Sequence, residues 1–187
     1  MAKATNALTQ GLSGKVLGLV FRRHANGSVS VGDAPRPSSK PPTEGALAQR
    51  QRFQQAAFYG RAVQQDPALK AAYETGVDVN TNSSYVVAVA DYLAAPSIRH
   101  VDFNAYNGKP GDVITVQATD NFAVAEVRVR IQNPDGTLVE EGPALPDPDG
   151  FTFRFTASVS NSSLDGDKIT VIAADRPGNQ TMQEDKL

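Results

Sequence analysis

Apolar residues recur at every second position through the C-terminal half of the chain. Val101 and Phe103 open the pattern, and Ile114, Val116 and Ala118 continue it. Val127, Val129 and Ile131 then alternate with Arg128 and Arg130. Phe151, Phe153 and Phe155 follow as an aromatic core set, and Ile169, Val171 and Ala173 as a late central strand. A period of two puts one face of a strand in a core and the other in water. Asn133-Pro134-Asp135-Gly136 reads as a turn, from which Thr137 to Glu141 returns. About seven short strands in roughly 90 residues predict a two-sheet antiparallel sandwich over residues 97–187.

Residues 43–96 carry a helical period instead. Thr43 is a plausible N-cap for a helix running to Gln65, with Phe53, Ala56, Ala57, Gly60 and Val63 along one face. Asp66 caps a second helix with Pro67 at its first position, Leu69, Ala72 and Tyr73 on its apolar face, and Gly76 closing it. A third helix is expected from Ser83 to Ala94, where Tyr85, Val89, Tyr92 and Leu93 repeat before Pro96; its valines also suit a strand.

Residues 1–31 read as an N-terminal arm and a β-hairpin, in which Val16 to Phe21 and Ser28 to Val31 flank Asn26-Gly27, the pair that favours a type I′ turn. A hairpin alone is marginal in water, so this one needs a neighbour, in the same chain or in another copy. Residues 32–42 form a proline-rich strap, held extended by Pro35, Pro37, Pro41 and Pro42. The expected fold class is therefore α+β: hairpin, small helical module, then sandwich.

Composition narrows the function classes. A content of 40% hydrophobic residues is enough for a buried core. The net charge of −2 gives counterion release little to work with, so nucleic acid is not an expected partner. The absence of cysteine excludes disulfides, thiolate catalysis and Cys-type metal sites. The apolar run Val16 to Phe21 is too short for a membrane span or the core of a signal peptide. The compartment stays undetermined: the cytoplasm, or export by a route without a cleaved signal.

Candidate chemistry is sparse. Gly11-Leu-Ser-Gly14-Lys15 lacks the spacing and the Ser or Thr of a phosphate loop. His24 and His100 have no metal-ligand spacing, Gly-x-Ser-x-Gly is absent, and no serine is nominated as a nucleophile, so no catalytic residue is assigned. Asp120, Asp147, Asp149, Asp165, Asp167 and Asp175 fall in loops where carboxylates could hold Ca²⁺. Turn chemistry explains them as well, and no EF-hand spacing is present, so no cofactor or metal ligand is assigned. Asn26, Asn82, Asn161 and Asn179 begin Asn-x-Ser/Thr patterns, read as ordinary turn residues. Arg50, Arg52 and Arg61 among Phe53, Phe58 and Tyr59 fit a helix with one wet and one buried face as well as they fit a basic aromatic patch.

Two stretches carry a resemblance. Asp120-Asn-Phe-Ala-Val-Ala-Glu-Val-Arg-Val, and Gly166 to Asn179 with its Ala-x-Asp-x-x-Gly-Asn ending, resemble bacterial immunoglobulin-like and cadherin-like repeats. That implies an immunoglobulin-like sandwich that binds, spaces or adheres and does not catalyse. Ser13-Gly14-Lys15-Val16 before a hairpin, followed by Ala48-Gln49-Arg50-Gln51-Arg52-Phe53, is similar to uncharacterised proteins of Bacteroidota. That implies a bacterial source and no particular activity.

The expected function is a non-enzymatic structural subunit that self-assembles, into a filament where the contact does not close, through its arm, hairpin and strand edges. Its partners are other copies of itself, and the self-association candidates are Val16, Leu17, Leu19, Phe21, Val29 and Val31. The alternative is a binding or adhesion module that recognises a glycan or a protein through sandwich loops, with Tyr106 near Asn104 and Asn107 as its one sequence hint.

Overall fold

The computed structural model describes residues 2–4, 12–24, 26–35, 40–79 and 81–187. Most of the N-terminal arm and the middle of the proline strap lie outside these residues. The chain divides into two compact units, Met1–Glu44 and Gly45–Leu187, and its class is α+β.

The first unit is a four-stranded antiparallel sheet. Its strands are β1 (Ala2–Ala4), β2 (Gly14–Val16), β3 (Leu19–Arg23) and β4 (Val29–Asp33), in the order β1-β4-β3-β2. The expected hairpin is present as β3 and β4, with Phe21 opposite Val31. Two details differ from the sequence reading. The run Val16 to Phe21 is not one strand: it folds back at Leu17-Gly18, where Val16 pairs with Leu19 across a two-residue loop. Both loop residues have positive φ, 48° at Leu17 and 81° at Gly18, the feature a type I′ turn requires. Asn26-Gly27 makes a looser connection, with Gly27 at φ 79° and Asn26 not left-handed. There the Asn26 carboxamide oxygen accepts from both the amide and the hydroxyl of Ser28, and His24 N–H donates to the Ser28 carbonyl. Local side-chain bonding has replaced the tighter turn.

Three helices follow, α1 (Glu44–Gln65), α2 (Pro67–Glu74) and α3 (Ser84–Leu93), all in the second unit but for the first residue of α1. The Asp66 carboxylate accepts from the amides of Ala68 and Leu69, the cap the sequence places there, and Ser83, expected as the first residue of the third helix, caps it instead, its Oγ accepting from Val86 N–H. Helix α1 buries Ala56, Gly60 and Val63, but Phe53, two turns before Gly60 on the same face, is exposed. Arg52 donates to the Leu93 carbonyl and Gln64 to Ser84 Oγ, which fixes α1 antiparallel to α3 at both ends. Gly76 is not a left-handed helix stop. It clears the Phe122 ring, whose edge would lie 2.9 Å from an added Cβ.

Seven strands follow: β5 (Ser97–Asp102), β6 (Val113–Thr119), β7 (Val124–Gln132), β8 (Leu138–Pro146), β9 (Thr152–Thr156), β10 (Lys168–Asp175) and β11 (Gln180–Lys186). They form one antiparallel sheet in the order β11-β10-β7-β8-β9-β6-β5. Strand β8 pairs with β7 along most of its length and with β9 only at Leu145 and Pro146, so the sheet bends there from one layer into the other. The outer strands β5 and β11 approach one another, which makes the sheet nearly a barrel.

The alternation predicts this core closely. Ile114, Val116, Ala118, Val127, Val129, Ile131, Ile169, Val171 and Ala173 are all buried, together with Phe153 and Phe155. Phe151 is exposed, because it precedes β9 on the turn led by Asp149. On the wet face, Arg130 lies opposite Glu141 and bonds it at 2.8 Å, with Arg128 joining at 3.2 Å, a cross-strand charge pairing.

Candidate functional site

Three aspartates of the second unit converge where the end of α3 meets the sheet. Asp91 comes from α3, Asp120 from the residue after β6, and Asp175 from the end of β10. One carboxylate oxygen from each lies within 4.8 Å of the others. The same periodicity that builds the core delivers them. Asp120 sits two residues beyond Ala118 in the inward row of β6, and Asp175 two beyond Ala173 in that of β10. Asp91 follows Val87 and Ala88 on the buried stripe of α3. A register shift between Ala174 and Asp175, at which β10 leaves its regular pairing with β7, turns the chain at the site.

A hydrogen-bond network fixes two of the three. Tyr73 Oη donates to Asp91 Oδ2 at 2.5 Å, and because its one proton is used there, Tyr59 Oη donates to Tyr73 at 2.9 Å. The rings of Tyr59 and Tyr73 meet edge to face at 6.3 Å, and Tyr73 packs on Phe122 at 4.6 Å. Asp175 Oδ1 accepts from the amides of Gly178 and Asn179, and its Oδ2 from Asn179 Nδ2 at 2.6 Å. This gives the Ala-x-Asp-x-x-Gly-Asn run a physical basis: the carboxylate closes a turn whose fourth residue, Gly178, has φ 97°. Asn179 Nδ2 also faces the carbonyls of Asp91, Tyr92 and Ala94 at 3.4, 3.2 and 3.0 Å, binding the turn to the C-terminal end of α3.

What remains is a concentration of unpartnered negative charge. Asp91 is fully buried, and its Oδ1 has no hydrogen-bond partner. Both oxygens of Asp120 are buried without a partner as well. Among the described residues, no lysine or arginine forms an ion pair with any of the three. Even at 4.8 Å two carboxylates repel by about 3.5 kcal/mol at an effective dielectric constant of about 20. Burial accordingly pushes the Asp91 carboxyl up to about 7; the Tyr73 hydroxyl pulls it down, and Asp120 adds to the rise. Burial also raises Tyr73 and Tyr59.

The other acidic turn residues do not converge. Asp147 pairs with Arg154 at 2.8 Å, and Asp149 accepts from the amides of Phe151 and Thr152. Asp167 is buried near Tyr106 and accepts from Asn161 Nδ2, which also donates to Tyr106 Oη. Tyr106 itself is buried and so offers no loop surface to a ligand. Asn161, buried, and Asn179, half-buried, are likewise hydrogen-bonding groups of their turns. The sequence reading picked out Asp120 and Asp175 and missed Asp91. Its signal was a carboxylate on the apolar stripe of a helix, a place where unpaired charge is rare.

In the first unit, Val16, Leu17 and Leu19 are exposed, Phe21 and Val31 are half-buried, and Val29 is fully buried. The buried Val29 side chain is therefore unavailable as a contact for another copy. Leu17 is 98% exposed at φ 48°, an uncommon conformation for a branched apolar residue. No helix among the described residues is long and apolar enough to cross a membrane. No protein-family model matches the chain, and a comparison with curated proteins finds no similar sequence.

Proposed function

We propose that this chain is a non-enzymatic structural subunit that assembles with copies of itself through its N-terminal sheet, and that residues 97–187 form an immunoglobulin-like sandwich. The strand order supports the sandwich reading. Neighbours β5-β6-β9 in one layer and β7-β10-β11 in the other follow the A-B-E and C-F-G order of that fold.

The observation that carries the assembly reading is Leu17. A turn at positive φ is served at least cost by Gly, Asn or Asp, yet here it presents a fully exposed leucine, flanked by the exposed Val16 and Leu19. Backbone strain spent on displaying an apolar side chain is a mark of a contact surface. Beside it, β2 is the outer strand of this sheet among the described residues, an edge that another chain can extend. A contact between this tip and a different patch on the next copy propagates a filament where its rotation does not close into a ring.

Size-exclusion chromatography with light scattering, joined to negative-stain imaging, tests this directly. Concentration-dependent oligomers or filaments are expected from the wild type, and their loss in Leu17→Asn. Discrete monomers at high concentration would sink the assembly reading.

A further inference from the structure

We propose that Asp91, Asp120 and Asp175 bind a divalent cation, Ca²⁺, which joins the C-terminal end of α3 to the ends of two strands of the sheet. Two independent observations meet here. The three carboxylates come from three separate elements and bring one oxygen each within 4.8 Å of the others. Separately, Asp91 is fully buried with Oδ1 unpartnered, and both oxygens of Asp120 are buried and unpartnered. Buried polar atoms are almost always satisfied, so three orphaned carboxylate oxygens in one place mark a missing positive partner.

The donor set selects the ion. All three ligands are hard carboxylate oxygens, with no imidazole or thiolate, which suits Ca²⁺, Mg²⁺ or Mn²⁺ better than Zn²⁺ or Cu²⁺. Ca²⁺ binds oxygen at roughly 2.3–2.6 Å and spans ligand pairs up to about 5 Å apart; Mg²⁺ at roughly 2.0–2.1 Å spans little more than 4 Å. Oxygens that all lie within 4.8 Å of one another fall inside the span that Ca²⁺ bridges.

The surrounding groups act as orienting partners. Tyr73 holds Asp91 by Oδ2 and leaves Oδ1 free, while the amides of Gly178 and Asn179 hold Asp175 by Oδ1. Asp120 also lines a cleft formed with Ala94, Ala95, Ser97, Arg99 and Thr119, which gives an ion an approach from solvent.

The test uses the full chain stripped with a chelator. Adding Ca²⁺ in the millimolar range is expected to raise the thermal midpoint by roughly 5–10 °C, with Mg²⁺ less effective, and calorimetry to report one site. Asp120→Asn removes two of the orphaned oxygens' charge and relieves repulsion, so it is expected to fold in chelator at least as stably as the wild type and to lose the Ca²⁺ response. An unchanged midpoint and no heat of binding for the wild type would overturn the proposal. So would a Ca²⁺ response equal in the wild type and Asp120→Asn.

Discussion

Asn179 Nδ2 lies 3.0 Å from the carbonyl oxygen of Ala94, the residue that ends α3, while the same nitrogen donates to Asp175 Oδ2 at 2.6 Å. One amide thus ties a helix terminus to a sheet turn 85 residues away in sequence. The C-terminal carbonyls of a helix have no partner within it, so a donor from outside satisfies them. Asn179→Ala removes that donor and leaves half-buried acceptors without it, with an expected loss of about 1–2 kcal/mol in denaturant unfolding. Asn179→Asp would cost more, since it sets a fourth carboxylate beside Asp175 and replaces the donor with an acceptor. Equal stability of all three proteins would show that the clamp contributes nothing.

Gly60 sets how closely α1 approaches α3. A Cβ there would lie 2.8 Å from Val89 Cγ2 and 2.9 Å from the Tyr85 ring. Helix propensity alone favours Ala over Gly by about 1 kcal/mol. The close contact opposes it: the β-branched Val89 is stiff on its helix, and overpacking costs typically 1–3 kcal/mol. Gly60→Ala is therefore expected to be net destabilising, by up to about 2 kcal/mol in chemical denaturation. A gain in stability would mean that the two helices separate freely.

The acid and neutral limbs of the stability curve have opposite causes. Asp91 titrates at about 7 in the native state against 3.8 when unperturbed, so the native state holds the proton more tightly. Its contribution is full below the unfolded value and is lost as pH rises from about 4 through 7. Asp112, held low by the Lys109 amide, and Glu141, held low by Arg130, run the other way: their contribution is present above the unfolded values and is lost as pH falls through the native ones. In chelator, the wild type should lose midpoint temperature between pH 4 and 7, and Asp91→Asn should flatten that slope while keeping the acid limb. Parallel profiles for the two proteins would refute the assignment to Asp91.

Leu17→Asn separates strain from surface. Asn tolerates the left-handed region that costs most residues roughly 1–2 kcal/mol, and the leucine side chain it replaces has no neighbours to lose. The variant is expected to stabilise the N-terminal sheet by up to about 1 kcal/mol, read by hydrogen exchange at Val20 and Val31. Faster exchange there in the variant would mean that Leu17 supports the sheet and is not set out for a contact.

How much of this was legible in sequence follows from the range of each interaction. The period of two in Ile114 to Ala118 and Ile169 to Ala173, and the cap at Asp66, are set by residues a few positions apart, and they appear in the fold as read. Local pattern also placed Asp120 and Asp175 as loop acids of interest. It misplaced the tight turn, because Asn26-Gly27 carries the stronger turn chemistry, whereas the pairing of Val16 with Leu19 forces Leu17 into that role. Phe53 and Phe151 look like core residues by type and spacing, and only the packing partners available decide that they are exposed. The aspartate cluster was beyond sequence for the same reason. Each acid extends an apolar row by one step, a feature visible in the chain, but that the three rows end at one point is decided by how α3 crosses the ends of β6 and β10. Periodicity is a property of neighbours along the chain, while charge concentrated within 4.8 Å is a property of elements brought together by the core they share.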